Sequence, residues 1–317
     1  MAVSANRPLD YHTSRELRPS EGQLQSRSLA RRLGGHAVLL LLSFVFVLPF
    51  AWLLTTSLQP DEERSKVPPP FIPGPAAIDE PVQRITGYDL AYTPTLQHYF
   101  QGLTRVPVLL FLRNTLFVCT FVVLGTILSS SLVAYGFSIL RWRGRDLIFF
   151  IMLSTMMLPG QVTMIPVFMI WRKLNLVDTF APLTVQAFFG TPFFIFLFRQ
   201  FFLSIPKDLI DAARIDGAGE FRIWAGIVMP LSIPAMATVG LFSFLGAWNN
   251  FLGPLIYLAD QSKYTLSLGL AMFRTQYGSD YGQMMAVATL MVVPIIILFF
   301  FAQKTFIQGI KTSGLKM

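Results

Sequence analysis

The chain has 317 residues, of which 53% are hydrophobic and only 13% are charged, about half of the charged share that is usual in soluble proteins. So few charged side chains cannot cover a water-facing surface, which excludes a soluble protein and makes lipid the solvent for much of the chain. The net charge of +8 is spread over tails and loops, so it carries information on membrane topology and does not mark a nucleic-acid-binding patch.

The N-terminal third contains one apolar run between two polar segments. Residues 1–35 are polar and rich in arginine, and we predict a tail that is disordered at least up to about Ser20. Residues 36–58 are too long for a signal peptide and lack a cleavage site, which predicts a retained first transmembrane helix. Residues 59–107 are rich in proline and then in tyrosine, which predicts an extended loop outside the membrane with a short helix near 95–103.

Five further apolar runs follow, each longer than the roughly 20 residues that cross the hydrocarbon core of a bilayer. They cover approximately residues 108–139, 147–171, 180–203, 232–258 and 284–306. The second of these runs contains Pro159, Gly160 and Pro166, which membrane helices tolerate where neighbours satisfy the freed backbone groups. The sequence therefore predicts an all-α integral membrane protein with six transmembrane helices. Five of them form a core over residues 108–306, and a short tail follows at 307–317.

The distribution of Lys and Arg predicts the side of the membrane on which each loop lies. Of the 25 Lys and Arg residues, sixteen lie on the side that holds the N-terminal tail and nine lie on the other. Positive charge concentrates on the cytoplasmic side, so both tails and the loop at 204–230 are predicted to be cytoplasmic. The loop at 59–107 is then extracytoplasmic.

One charged segment, PKDLIDAARIDGAGEFRIWAGIVMP at 206–230, interrupts the apolar pattern. Pro206 suits the first turn of a helix, Asp216-Gly217 is a turn signal, and Pro230 is expected to end a second helical turn. We predict two short helices with a corner at Gly217, outside the bilayer, that offer a protruding surface to a partner.

The apolar residues of this segment recur near helical spacing, which predicts one apolar face on each short helix. In the first helix they are Leu209, Ile210, Ala212 and Ala213, and in the second Phe221, Trp224, Ala225 and Val228. The charged residues are expected on the opposite faces.

The sequence contains no motif that carries catalysis. It has no GxxxxGK[ST] phosphate-binding loop, no HExxH, no paired-cysteine zinc spacing and no GxSxG. Its single Cys119 cannot form an internal disulfide, and its three His residues show no ligand spacing. Acidic residues are almost missing from the apolar runs, whereas ion-coupled carriers usually place ionisable groups near the bilayer midplane. We therefore predict a driven subunit with no catalytic residue, metal or cofactor of its own, powered through the charged segment by a separate motor.

The charged segment resembles the cytoplasmic coupling loop of permease subunits of ABC importers. The resemblance is carried by Asp211-Ala212-Ala213, Asp216-Gly217-Ala218, Phe221 and Pro230-Leu231; the family pattern is Glu-Ala-Ala, a three-residue gap, Gly and an apolar stretch to Pro. Asp211 replaces the Glu of that pattern, which keeps the charge and shortens the side chain. Similarity to carbohydrate-type permeases extends over about residues 95–317. It is carried by Asn114-Thr115, Ala134-Tyr135, Leu158-Pro159-Gly160, Ile165-Pro166, Trp248-Asn249, Pro254-Leu255, Tyr264-Thr265-Leu266 and Gln308-Gly309.

The resemblance implies a type I ABC importer permease fold in the cell inner membrane, similar to the second, maltose-type permease subunit. It implies as partners a different permease subunit, a homodimeric ABC ATPase that binds ATP and Mg²⁺, an extracytoplasmic solute-binding protein and membrane lipid, but no nucleic acid. It also implies that the loop at 204–230 enters a cleft on the ATPase, with Asp211 paired to a basic group there and Gly217 allowing close approach. The residues given this coupling role are Leu209, Asp211, Ala212, Ala213, Asp216, Gly217 and Phe221.

The resemblance also implies that Tyr135, Trp248, Asn249 and Asn250 line the substrate pathway. The last three are also interpretable as helix-packing residues, because polar amides hydrogen-bond neighbouring helices, and the family more often has Asp or Glu where Asn250 stands. The resulting hypothesis is a permease subunit of an ATP-driven, binding-protein-dependent sugar (oligosaccharide) importer. The alternatives are a permease of the same machinery for a polyol or glycerol-phosphate, and an autonomous channel or secondary carrier.

Overall fold

The computed structural model describes residues 21–64, 72–73, 91–275 and 278–314, and the stretch predicted to be disordered up to Ser20 lies outside them. The chain forms two compact units that divide after Trp52. The described residues are mostly helical. Two short strand pairs also occur, Ile72–Pro73 parallel to Ala91–Tyr92 and Arg274–Thr275 antiparallel to Gly278–Ser279.

The described residues form fifteen α-helices. Helices α1 to α4 are Glu21–Leu58, Asp61–Arg64, Gln97–Arg105 and Val108–Ser138. Helices α5 to α8 are Arg145–Ser154, Gly160–Lys173, Ala181–Thr184 and Pro192–Phe202. Helices α9 to α12 are Lys207–Ile215, Glu220–Ile223, Met229–Leu231 and Ile233–Trp248, and α13 to α15 are Leu252–Tyr257, Leu266–Leu270 and Tyr281–Gly314. A π-helical turn at Trp224–Val228 joins α10 to α11, and 3₁₀ turns cover Thr155–Met157, Val185–Phe189, Gln261–Lys263 and Ala271–Phe273.

Four stretches are long and apolar enough to cross a membrane as single helices. They are Gly34–Leu58, Val108–Ser138, Ala181–Phe202 and Tyr281–Phe301. Two further stretches pass the same test as bent pairs, Arg145–Met157 with Gly160–Lys173 and Glu220–Leu231 with Ile233–Trp248. The described residues therefore hold up to six spans when each bent pair counts as one, which is the number predicted from the sequence. The second pair differs from the prediction in its bounds, because it begins at Glu220, inside the segment 206–230 that was predicted to lie outside the bilayer, and Ile233–Trp248 alone has 16 residues.

Two of the predicted spans differ from the structure in shape. The run at 147–171 is bent by 98° between its two halves, because Pro159 takes an extended conformation with ψ 133° and has no N–H to continue the helix. The run at 232–258 ends as a helix at Trp248, and a short break precedes α13. These breaks bring backbone and polar side chains into the apolar part of the chain.

Several predicted boundaries also differ from the structure. Helix α1 begins at Glu21 and α15 continues to Gly314, so both helices extend into segments that we predicted as tails. The short helix expected near 95–103 is found two residues later, at Gln97–Arg105. Pro230 was expected to end the helical turn before it, but it lies inside α11, which ends at Leu231.

Helix α4 is the central element of the second unit, since it packs against α8, α12 and α14. One hydrophobic core lies towards its C-terminal half and includes Ala134, Phe198 and Val239, and another lies towards its N-terminal half around Phe111. The second core depends on a glycine: a Cβ at Gly269 would lie 2.3 Å from Cδ2 of the buried Phe111 ring. Small residues of this kind let membrane helices approach closely.

The carboxylate of Asp178 ties the loop between α6 and α7 to the segment after α13. Its Oδ1 accepts hydrogen bonds at 3.0 Å from the backbone N–H groups of Ala259 and Asp260, and Lys263 Nζ lies 2.6 Å from Oδ2. Asp178 has a φ of +63°, a conformation that aspartate adopts more readily than most residues. The backbone hydrogen bond from Asp260, followed by Lys263 and the Ala259 amide, lowers the pKa of the Asp178 carboxyl to about 2.

We predict that the contacts of the Asp178 carboxylate with Ala259, Asp260 and Lys263 weaken in acid. Because the pKa of Asp178 is depressed below its ordinary value of 3.8, the ionised carboxylate stabilises the folded loop above about pH 4, and this contribution disappears as the pH falls towards 2. Asp178→Asn should remove it already at neutral pH, seen as faster amide hydrogen exchange at Ala259 and Asp260 in detergent-solubilised protein. Asp216→Asn, a carboxylate change in another loop, serves as the control. Unchanged exchange in Asp178→Asn would contradict the prediction.

Candidate functional site

The corner predicted at Gly217 is confirmed. Helix α9 ends at Ile215, and Gly217 follows with a φ of +79°, a left-handed conformation that costs glycine little. The Gly217 N–H donates to the Arg214 carbonyl at 3.0 Å, and the Ala218 N–H donates to the Ala213 carbonyl at 2.9 Å. This is the hydrogen-bond pattern of a Schellman helix end, so the turn between α9 and α10 has a defined geometry.

The two short helices are amphipathic, but their buried faces are narrower than the sequence suggested. In α9, Ile210 and Ala213 are buried, whereas Leu209 is 47% exposed and Ala212 is also exposed. In the following turns Trp224 and Val228 are buried, whereas Phe221 is 68% exposed. The expectation that each set of apolar residues shares one face was therefore wrong.

The coupling candidates divide accordingly. Those with exposed side chains or backbone are Leu209, Asp211, Ala212, Asp216, Gly217 and Phe221. Ala213 is 9% exposed and packs in the core of its own chain, so its side chain is not available to a partner. The exposed apolar side chains of Leu209 and Phe221 lie on either side of the Gly217 corner, and the Phe221 ring rests on that of Trp224 with centroids 5.2 Å apart.

A polar network braces the corner from inside the chain. Arg214 donates to both oxygens of Glu220, from Nε to Oε1 at 2.9 Å and from Nη2 to Oε2 at 3.3 Å, and its Nη1 donates to Asp211 Oδ1 at 3.2 Å. The hydroxyl of Tyr135, on α4, donates to Glu220 Oε2. Asp211, which the resemblance pairs with a basic group on a partner, is therefore already paired within this chain.

The network contains one residue that was expected elsewhere and two that the sequence reasoning missed. Tyr135 was assigned to the substrate pathway, but it is 4% exposed and its hydroxyl binds the corner segment. Arg214 and Glu220 were not singled out at all. Their opposite charges on the two sides of a turn residue are a signal for an ion pair across the corner, and that signal was available in the sequence.

A cavity of about 520 Å³ lies beside α9, and we name it the Arg141 cavity. It opens between the turn after α4 and the face of α9 that carries Asp211 and Arg214. Basic residues outnumber acidic ones in its lining; its charged members are Arg141, Arg145, Lys207 and Arg214 against Asp146 and Asp211. The base of the corner is therefore electropositive.

Two other cavities lie between the apolar helices, away from the charged segment. The Gly160 cavity, of about 430 Å³, is bounded by the start of α6, by α7 and by α13. The Thr126 cavity, of about 460 Å³, is bounded by α4, by the segment from Ala187 to Phe194 and by α12. Leu183, Gln186 and Asn250 line both cavities, so these three residues form a shared wall.

The remaining pathway candidates have different environments. Trp248 is 1% exposed and stacks on Phe244 with centroids 5.3 Å apart, and its indole N–H has no hydrogen-bond partner among the described residues. The side-chain amide of Asn249 donates to the Leu245 carbonyl of its own helix at 2.9 Å. Asn250 alone among the four candidates lines the Gly160 and Thr126 cavities.

Comparison with known proteins gives a consistent picture. The family described as "Binding-protein-dependent transport system inner membrane component" matches residues 122–312. The arabinooligosaccharides transport system permease protein AraQ of Halalkalibacterium halodurans is 33% identical over 87% of this chain and 93% of its own length. The sn-glycerol-3-phosphate transport system permease protein UgpE of Rhizobium meliloti is 29% identical over 87% of this chain and 94% of its own.

A solved structure shares the fold. It belongs to a bacterial ABC transporter involved in the import of the acidic polysaccharide alginate, and it superposes with a TM-score of 0.72 at 24% identity. The match covers 87% of this chain and 98% of that one. At this level of identity the likeness shows the fold, which is that of an ABC importer permease.

Proposed function

Since the chain belongs to the family of binding-protein-dependent transport system inner membrane components, we propose that it forms half of the translocation pathway of an ATP-driven sugar importer. In this proposal the chain has no ATPase site of its own and hydrolysis takes place on a separate homodimeric ATPase that binds ATP and Mg²⁺. A second, different permease subunit supplies the other half of the pathway, and an extracytoplasmic binding protein delivers the solute.

One observation carries the coupling role of residues 204–230. Leu209 and Phe221 expose large apolar side chains beside a corner that is braced by the ion pairs of Arg214. Exposed apolar side chains within a charged segment mark an interaction surface. A braced corner also transmits a displacement, because its geometry does not yield when a partner pushes on it.

The orientation follows from the charge distribution. The excess of Lys and Arg on the side of the N-terminal tail supports a cytoplasmic location for both termini and for the corner. The electropositive lining of the Arg141 cavity, at the base of α9, supports the same side. A cytoplasmic ATPase contacts the chain only on the cytoplasmic side, so the proposed coupling role requires this orientation.

The solute class rests on the relatives. Several of them are permeases for oligosaccharides, among them AraQ, and this supports an oligosaccharide as the solute. A permease of the same machinery for glycerol-phosphate is the second candidate, because UgpE is similar over nearly its whole length. An autonomous channel or carrier has less support, since the coupling segment would then have no partner.

The docking surface can be tested by its affinity for the ATPase. We expect Phe221→Ala to weaken the binding of ABC ATPase subunits to the purified, detergent-solubilised permease pair about tenfold, because exposed aromatic anchors supply about 1–2 kcal/mol or more at such interfaces. Phe150→Ala is the matched control, since that ring is 67% exposed but lies on α5, outside the segment. Equal affinity of the Phe221 variant and the unchanged protein, or no association at all, would contradict the proposal.

A further inference from the structure

We propose that Gln186 and Asn250, in the wall shared by the Gly160 and Thr126 cavities, bind the hydroxyl groups of a neutral, polyhydroxylated solute on its way through this subunit. This inference rests on the proposed function and adds to it the chemical class of the solute and the side chains that contact it. It assigns to this chain a direct solute contact, in addition to its mechanical role.

The two cavities adjoin at a shared wall. The Gly160 cavity reaches Pro182 at the start of α7 and Tyr257 at the end of α13, near the loops that Asp178 ties together. The Thr126 cavity lies against the middle of α4, where Val118 and Thr126 line it. Because the same three residues line both cavities, a solute that moves from one to the other passes Gln186 and Asn250.

The amide of Asn250 is held in place and has capacity left for a ligand. Its Oδ1 accepts a hydrogen bond from the Gly253 N–H at 3.0 Å, and its backbone carbonyl accepts one from Ser267 Oγ at 2.6 Å. Its Nδ2 has no hydrogen-bond partner in the described part of the chain, although a side-chain amide nitrogen carries two donors. An amide fixed by its oxygen therefore presents its N–H groups to the cavities.

Gln186 shares the lining of the Gly160 cavity with an aromatic residue, Tyr257. The Tyr257 ring is buried and stacks on Phe168 with centroids 6.0 Å apart. An amide offers both donors and acceptors, which matches sugar hydroxyls because each of them also donates and accepts. Such polar groups are costly within an apolar span unless a partner or a ligand satisfies them.

The lack of charged residues in the linings of the Gly160 and Thr126 cavities favours one of the solute classes named for the relatives. No residue that lines either cavity is Asp, Glu, Lys, Arg or His. A phosphate ester would therefore enter without a cation to offset the loss of its hydration, whereas an uncharged sugar loses only hydrogen bonds that amides and hydroxyls replace. Thr163, Thr191 and Ser243 add hydroxyls to the same linings. The lining favours a neutral oligosaccharide over glycerol-phosphate.

The experiment uses the assembled permease–ATPase complex in proteoliposomes with its binding protein, and labelled arabinotriose as the probe. We expect Asn250→Leu and Gln186→Leu each to lower the rate of ATP-dependent uptake at least tenfold, with membrane insertion and ATP hydrolysis retained. Asn250→Gln keeps the amide and should restore uptake to within about threefold. Gln200→Leu makes the same amide-to-alkyl change on α8, away from both linings, and should leave uptake unchanged.

A binding measurement on the detergent-solubilised complex without the binding protein tests the solute class. Saturation-transfer NMR should detect arabinotriose on the unchanged complex, lose that signal in Asn250→Leu, and give none for glycerol 3-phosphate. Full uptake by both Leu variants, no signal from arabinotriose, or a stronger signal from glycerol 3-phosphate overturns the inference while the importer function stands. Absence of ATP-dependent uptake of any sugar or glycerol-phosphate by the unchanged complex would instead remove the proposed function.

Discussion

Gly217→Trp is expected to abolish ATP-dependent uptake while the protein still inserts into the membrane. The residue has a φ of +79°, and a side chain with a Cβ pays roughly 1–2 kcal/mol in that conformation. The larger effect is steric: a Cβ at Gly217 would meet no atom of its own chain within 4 Å, so an added indole projects towards whatever docks on the corner. Uptake into proteoliposomes and membrane fractionation of the same preparation measure the two effects separately.

Replacement of Gly217 by asparagine distinguishes the effect of backbone strain from the effect of keeping a docking partner at a distance. Asn adopts the left-handed conformation more easily than other residues with a Cβ, so Gly217→Asn should keep the corner and still reduce uptake about tenfold because it adds bulk at the docking surface. Gly144→Asn is the matched control, since Gly144 also has a positive φ, of +84°, and open space around it, but precedes α5. Uptake by Gly217→Asn equal to that of the unchanged protein would show that no partner approaches the corner closely.

Features set by local chemistry could be predicted from the sequence. The Gly217 corner follows from a glycine after an aspartate at the end of a short helix, and the six apolar runs follow from composition over about twenty residues each. The bend at Pro159 was visible as a proline, but its angle of 98° was not. Tertiary contacts decide the angle, because proline removes a hydrogen bond without specifying where the chain then goes.

Features that depend on packing between distant segments could not be predicted. Leu209 and Ile210 are apolar neighbours in sequence, yet only Ile210 is buried. Which of the two adjacent faces of α9 turns inward depends on the core against which the helix packs. The contact between Tyr135 and Glu220 joins positions 85 residues apart. Asn249 and Asn250 are identical in chemistry, and only the end of α12 at Trp248 decides that the second one faces the cavities.

The brace between Tyr135, Glu220 and Arg214 is expected to be the element that couples the corner to α4. Glu220→Ala leaves the buried Tyr135 hydroxyl without its acceptor and Arg214 without its bidentate partner. An unsatisfied buried hydroxyl costs about 1–3 kcal/mol, whereas the ion pair, at about 40% exposure on both sides, contributes about 1 kcal/mol or less. The complex should therefore assemble and hydrolyse ATP, with uptake per ATP reduced tenfold or more.

A fall in uptake per ATP, with assembly and ATP hydrolysis retained, distinguishes a role of this network in coupling from a purely structural role. Glu220→Gln keeps an acceptor for Tyr135 and removes only the charge, so it should lose about threefold in uptake per ATP, and Tyr135→Phe, which removes the hydroxyl, should lose more. Asp208→Asn changes a carboxylate of α9 that forms no ion pair among the described residues, and thus reports the loss of charge alone. In a double-mutant cycle, the losses of uptake per ATP caused by Tyr135→Phe and by Glu220→Ala should be non-additive, because each substitution removes the same hydrogen bond. Additive losses would mean that Tyr135 and Glu220 act independently, and the hydrogen bond between them would then have no part in transmission.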